Sequence, residues 1–327
     1  SLVFLSSFWS IAPLEIISNI DMRCAKLLYI PFLVAAFRDE TLRDVAMHSL
    51  MLAVTLVALL SIFAYLQVSG FEFINPDHVF QSHVVFGFMG PGIAYIAACL
   101  AMQRTRYRWF YVIVSAITVF QILWVNGGRM GYILLGVLAI LWMWQYLSWR
   151  KMALALSLYS ALCFLSFNFS TVAHTRTQSA AIELQSYKNK TDLNTPLGYR
   201  FQYHKFARQL FLAHPFFGQG AGAYSAAVDK ETVFKEQKVG MLNDAHGQYW
   251  LIAAEQGIVG IVLFFAAFLS LLWTIWHLPQ VRALALGLLL AMALGQFCDS
   301  LLYHSPQIYF FIILICIYLG EIHENAI

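Results

Sequence analysis

Long apolar runs separated by short polar breaks occupy most of this chain, with one exception late in the sequence. Runs at 46–68, 84–103, 108–126, 130–148, 152–170, 258–276, 281–298 and 307–320 read as membrane-crossing helices, a crossing needing roughly 20 residues. Residues 1–12 read as the tail of another span, and 24–37 as a marginal one interrupted by Pro31. Between 171 and 245 apolarity collapses into one sizeable polar loop. The predicted fold is all-α, a polytopic membrane helix bundle with about ten visible spans by the length rule. Residues 1–170 form its N-terminal part, 171–245 a loop domain, and 246–327 its C-terminal part.

Composition agrees with the pattern. The chain is 60% hydrophobic and 11% charged, whereas soluble domains carry about 25% charged residues. A net charge of +3 without a basic run excludes nucleic acid as a partner and leaves membrane lipid as the surroundings. Cys24, Cys99, Cys163, Cys298 and Cys316 lie in apolar segments without paired spacing, as small core residues do. The chain opens at Ser1 inside an apolar run without an initiator Met, so earlier spans are expected to precede it.

Basic residues set the orientation. Arg38 and Arg43, then Arg104, Arg106 and Arg108, then Arg150 and Lys151, then Arg282 fall in every second loop. By the positive-inside rule these loops face the cytoplasm. The alternate loops, 69–83, 126–129, 171–245 and 299–306, then lie outside. Arg129 is an exception to their low charge, and an arginine at a span end either snorkels or serves a ligand. Gly90-Pro91-Gly92 interrupts a span, which is either a harmless kink or backbone lining a wet cavity.

Within the outer loop, 198–213 has helical spacing. Tyr199, Tyr203, Phe206 and Leu210 form one stripe, and Arg200, His204 and Arg208 a neighbouring basic one. The basic stripe fits a membrane interface, or an Arg200 that turns inward to grip an anion. Gly218, Gly220 and Gly222 follow at every second position, permitting positive φ and close backbone approach. No Gly-Lys-Ser or Gly-Lys-Thr accompanies them, so a tight connector is the economical reading and a P-loop is excluded.

Polar sequence re-enters the membrane at Asn243-Asp244-Ala245-His246-Gly247-Gln248, continuing to Gly257 and Gly260. Asp244 is a good N-cap. It predicts a short helix with His246 in the first turn, ending near Gly257. A helix N-terminus disfavours imidazolium, so His246 is expected to be neutral and able to accept a proton. The sequence has no metal-binding motif and no Gly-x-Ser-x-Gly elbow, so no metal and no cofactor are expected. A histidine with external arginines suits a substrate that carries phosphate. Arg129 and Arg200 are candidates for bidentate contacts to a diphosphate. His246 is either a base for an attacking hydroxyl or, by its residues alone, a hydrogen-bonded histidine at the membrane interface.

Three features resemble the O-antigen ligase family, within the wider group of O-antigen polymerases and related bacterial oligosaccharide transferases. The first is His246 followed by Gly257 and Gly260 in an Ala-x-x-Gly-x-x-Gly setting before a long span. The second is Tyr199-Arg200 leading to His-Pro-Phe-Phe-Gly-Gln-Gly at 214–220, and the third is Gly-Gly-Arg at 127–129. The resemblance implies a fold like the glycosyltransferase C superfamily, about twelve spans in the whole protein, and an inverting, metal-independent transferase in the bacterial inner membrane. It implies undecaprenyl diphosphate-linked glycan as donor, lipid A–core oligosaccharide as acceptor, and a site facing the periplasm. By motif, His246 is implied as catalytic, and Arg129 and Arg200 as diphosphate-binding. Gln248, Tyr199, His204, Arg208, Asp299 and His304 are possible supporting residues, the last two by position in an outer loop. The chain departs from the family in having Gly247 where an amide or hydroxyl side chain commonly follows the histidine.

Alternatives stay open at this point. A polymerase or protein-glycosylating relative shares the motifs, and lipid A–core supplied as the sole acceptor separates it from a ligase. A membrane acyltransferase would leave two external arginines unexplained. A transporter would need broken spans and charges at midplane, where these spans are nearly charge-free.

Overall fold

The computed structural model describes residues 2–79, 82–228 and 245–321, and every regular element among them is helical. In order these are α1 (Leu2–Ser6), α2 (Leu14–Cys24), α3 (Ile30–Ala36), α4 (Glu40–Tyr65), α5 (His83–Gln103), α6 (Arg108–Phe120), α7 (Arg129–Tyr146) and α8 (Trp149–Phe169). They continue as α9 (Thr171–Asn189), α10 (Pro196–Ala213), α11 (Ala223–Val228), α12 (Gln248–Trp276), α13 (Pro279–Cys298) and α14 (Ser305–Gly320). Among the described residues, six are long and apolar enough to cross a membrane: α4, α5, α6 with its continuation to Val125, α8, α12 and α13. The chain is a helical membrane protein.

Of the other four expected spans, those at 130–148 and 307–320 form the helices α7 and α14 but are not among these six, and two take another form. Residues 24–37 break into a 3-10 turn, Ala25–Tyr29, and the seven-residue α3, because Pro31 has no amide to continue a ladder. Residues 2–12 form the short α1, a 3-10 turn and an extended tail. That tail hydrogen-bonds elsewhere: Ile11 N donates to Gln219 O (3.2 Å) and Ser10 Oγ to Ala221 O (2.7 Å).

The chain divides into two compact units. One holds residues 32–179, 275–292 and the chain from 310. Its centre is α5, which is buried along most of its length. α5 runs unbroken through Gly90-Pro91-Gly92, so no wet interruption exists there. The glycines are packing positions instead. A Cβ on Gly90 would lie 2.7 Å from the Phe86 ring, and one on Gly87 would lie 3.3 Å from Gly131 N of α7. Small residues at such crossings let membrane helices approach backbone to backbone. Arg43, counted among the loop cations, is buried in α4 and donates to the carbonyls of Phe37 and Arg38. Arg104 pairs with Asp44 at 2.7 Å on the surface.

The other unit holds residues 1–31, 180–274 and 293–309. Its core uses the predicted stripe of α10, with Tyr203 and Phe206 buried among Ile20, Tyr224, Leu251 and Tyr303, and with Tyr199 and Leu210 packed against them. The glycine segment after α10 explains the shape of α12. At Gly257 the helix takes φ 63° and ψ −157° and breaks its own ladder. Backbone groups released by the break find partners in the glycine segment. Gln219 N and Gly220 N donate to Ala254 O and Glu255 O, and Ile258 N and Val259 N donate to Pro215 O and Phe216 O. A Cβ on Gly257 would sit 2.5 Å from Phe216 C, and one on Gly218 2.3 Å from Glu255 C. The two glycines are a matched pair of close approaches, and every amide or carbonyl named here is satisfied by the other segment.

Candidate functional site

His246 lies ahead of α12, not in its first turn. Gly247 O accepts the first helical bond from Leu251 N (3.0 Å), which makes Gly247 the N-cap and puts His246 in the preceding bend. Asp244, the expected cap, lies outside the described residues. His246 has φ +45°, a conformation that L residues adopt at a cost and that concentrates at functional sites. Gly247 answers to its neighbour: a Cβ there would lie 2.7 Å from His204 Nε2. That nitrogen donates to His246 O at 3.1 Å, tying α10 to the bend. The imidazole of His204 thus occupies the space that a larger residue 247 would need. Burial, with the nearby Arg200 charge adding to it, pulls the His204 pKa below the usual histidine range.

The side chain of His246 meets Asp299, in the bend after α13. Nδ1 donates to Asp299 Oδ1 at 3.2 Å, with His246 partly exposed and Asp299 buried. The same oxygen accepts from Ser300 N (3.0 Å) and faces His304 Nε2 at 3.2 Å. Burial alone would raise the Asp299 pKa, but the bonds and charges of His246 and His304 outweigh it and hold the carboxyl well below the usual carboxylate range. Asp299 is therefore an anion that fixes the imidazole tautomer and stabilises an imidazolium. The electrostatics at His246 accordingly centre on this carboxylate and not on helix amides.

The remaining residues fall into layers. Tyr203 tilts against the His246 ring (5.9 Å between centroids), and Tyr199 stacks on Tyr203 (6.2 Å). Gln248 is buried, and its Oε1 accepts from Leu302 N (3.2 Å), bracing the loop of Asp299 and His304. Arg200 is half-buried, with no carboxylate in salt-bridge range among the described residues, and its charge acts on His204 and Cys298. Arg208 is exposed. Arg129 belongs to the other unit, at the start of α7 as the Gly-Gly-Arg turn predicts. Its guanidinium donates to Arg176 O (3.3 Å) and Ser179 Oγ (3.0 Å) of α9.

Sequence reasoning left Glu255 without a role. It is buried in α12, and its carboxylate accepts from Tyr303 Oη at 3.2 Å. An acidic residue inside an otherwise apolar helix was the available signal. The bond from Asp299 to His246 spans 53 positions, and no local spacing encodes it.

What this arrangement provides is a histidine oriented by a buried anion, with an arginine in the same unit that has no acid partner among the described residues. It is suited to moving a proton beside an anionic group. Among curated proteins no relative matches the chain. A family model described as O-antigen ligase matches residues 114–265, a stretch that takes in Arg129, Arg200, His246, Gly257 and Gly260 and stops before Asp299. The chain is a multi-pass membrane protein in which residues 114–265 are similar to the O-antigen ligase family.

Proposed function

We propose that this protein is an O-antigen ligase, moving a glycan from undecaprenyl diphosphate to a lipid A–core hydroxyl on the periplasmic face of the bacterial inner membrane. The observation that carries the reading is the His246–Asp299 pair, at 3.2 Å, in a unit that also holds Arg200. His246 Nε2 takes the proton from the acceptor hydroxyl while Asp299 stabilises the imidazolium on the Nδ1 side. The acceptor oxygen attacks C1 of the donor sugar from the face opposite the leaving group. The bond from C1 to the diphosphate oxygen breaks, and the anomeric centre inverts. The negative charge gained by the departing undecaprenyl diphosphate is met by Arg200 through bidentate bonds. Arg129 is assigned the same role by its motif.

Arginine is the source of positive charge in this reading, so the reaction is metal-independent. Purified protein in vesicles, given both lipids and excess chelator, should form glycosylated lipid A–core. Activity lost with chelator and restored by a divalent ion would remove the metal-free claim. Donor lipid extended by further repeats, with lipid A–core left unmodified, would favour a polymerase.

A further inference from the structure

The loop between α13 and α14 carries a second histidine that the proposed chemistry leaves unused. Asp299 Oδ1 has His246 Nδ1 and His304 Nε2 each at 3.2 Å, and Ser300 N at 3.0 Å, so one carboxylate oxygen is shared by two imidazoles. The loop is braced at three further points. Gln248 Oε1 accepts from Leu302 N, Tyr303 Oη donates to Glu255, and Lys26 Nζ bonds Ser305 Oγ at 2.6 Å, next to His304. His304 is therefore held at the carboxylate from both sides of its own position in the chain. Among the described residues, the charged and titratable groups around the pair are Lys26 from the turn before α3, Arg200, Tyr203 and His204 from α10, Glu255 from α12, Cys298 at the end of α13, and Tyr303 beside His304.

We infer that His304 is a positioning residue that sets the basicity of His246 through the shared oxygen of Asp299. The inference rests on His246 being the base. One anion cannot fully balance two imidazolium ions. When His304 is protonated the charge of Asp299 is already matched, and a proton on His246 is stabilised less. When His304 is neutral the whole charge serves His246. The two rings then titrate as a coupled pair, with apparent values that belong to both. His304 would in this way make transfer depend on pH without touching substrate.

Two substitutions with opposite expected signs test it. His304→Gln keeps a neutral N–H donor and removes the competing charge. The acid limb of log kcat/KM against pH should move up by at least half a unit and fall with single-proton slope. His304→Arg places a permanent cation at the oxygen, and the limb should move down by a similar amount. In an Asp299→Asn background both displacements should vanish, as coupling through that carboxylate requires. A merely structural role for His304 would lower the whole profile and leave the limb in place. Unmoved limbs in both variants, with His246→Gln inactive, would overturn the inference and leave the base intact. If His246→Gln retained full activity, the underlying reading would fail. Should His304→Gln not fold, the sign of the Arg shift decides.

Discussion

Replacing Asp299 by Asn keeps the shape beside His246 and removes the charge. At the observed separation of 3.2 Å, two unit charges attract by about 5 kcal/mol at an effective dielectric of ~20. The side chain of His246 is 31% exposed, so solvent screens part of this, and about 2–3 kcal/mol is a fair expectation for lost imidazolium stabilisation. That corresponds to roughly 30- to 150-fold in kcat. An Asn that donates to Nδ1 would also impose the wrong tautomer and deepen the loss. The assay is transfer by purified protein at saturating donor, followed across pH, with the unfolding midpoint in detergent measured alongside. A kcat within about threefold of wild type at all pH values, in folded protein, would refute the claim that Asp299 supports the base.

Four other outcomes follow. Gly247→Ala should cost on the order of tenfold in kcat, because its Cβ would meet His204 Nε2 at 2.7 Å. His204→Ala in the same chain should recover part of that loss, which a double-mutant cycle on kcat measures. Gly257→Ala should lower stability by roughly 1–3 kcal/mol, since φ 63° with ψ −157° is a glycine conformation and Phe216 leaves no room; thermal unfolding reads this directly. Arg200→Lys keeps charge but loses the planar fork, and kcat/KM for the donor should fall about 10- to 100-fold in steady-state kinetics. The Asp299 carboxyl titrates lower folded than unfolded, so its stabilisation is present above ~pH 4 and is lost as pH falls through the folded value. Asp299→Asn should therefore flatten the acid side of the stability profile.

The bundle was legible because lipid dictates it: backbone groups in hydrocarbon must pair within a helix, and apolar runs of span length mark where that happens. Residues 2–12 escaped the rule because their extended part is paired with Gln219 and Ala221. The stripe of Tyr199, Tyr203, Phe206 and Leu210 was readable from helical period alone. The glycines announced positive φ, borne out at 218, 220 and 222. What they could not announce was the partner, the break at Gly257 that they satisfy. His246 was legible as a residue, but its surroundings were not. The helix start at Gln248, the carboxylate of Asp299 and the ring of His204 all come from tertiary contacts. Arg208, on the same stripe as Arg200, is exposed, which the interfacial reading of that stripe allows.

The central claim is that His246 takes the proton in a glycan transfer from a lipid diphosphate. The most direct measurement is single-turnover transfer by His246→Gln, with donor binding measured on the same sample. Loss of transfer by roughly 10²–10⁴-fold, the usual contribution of a general base, with donor affinity within a few-fold of wild type, is the predicted result. Transfer at the wild-type rate by the folded variant would contradict it.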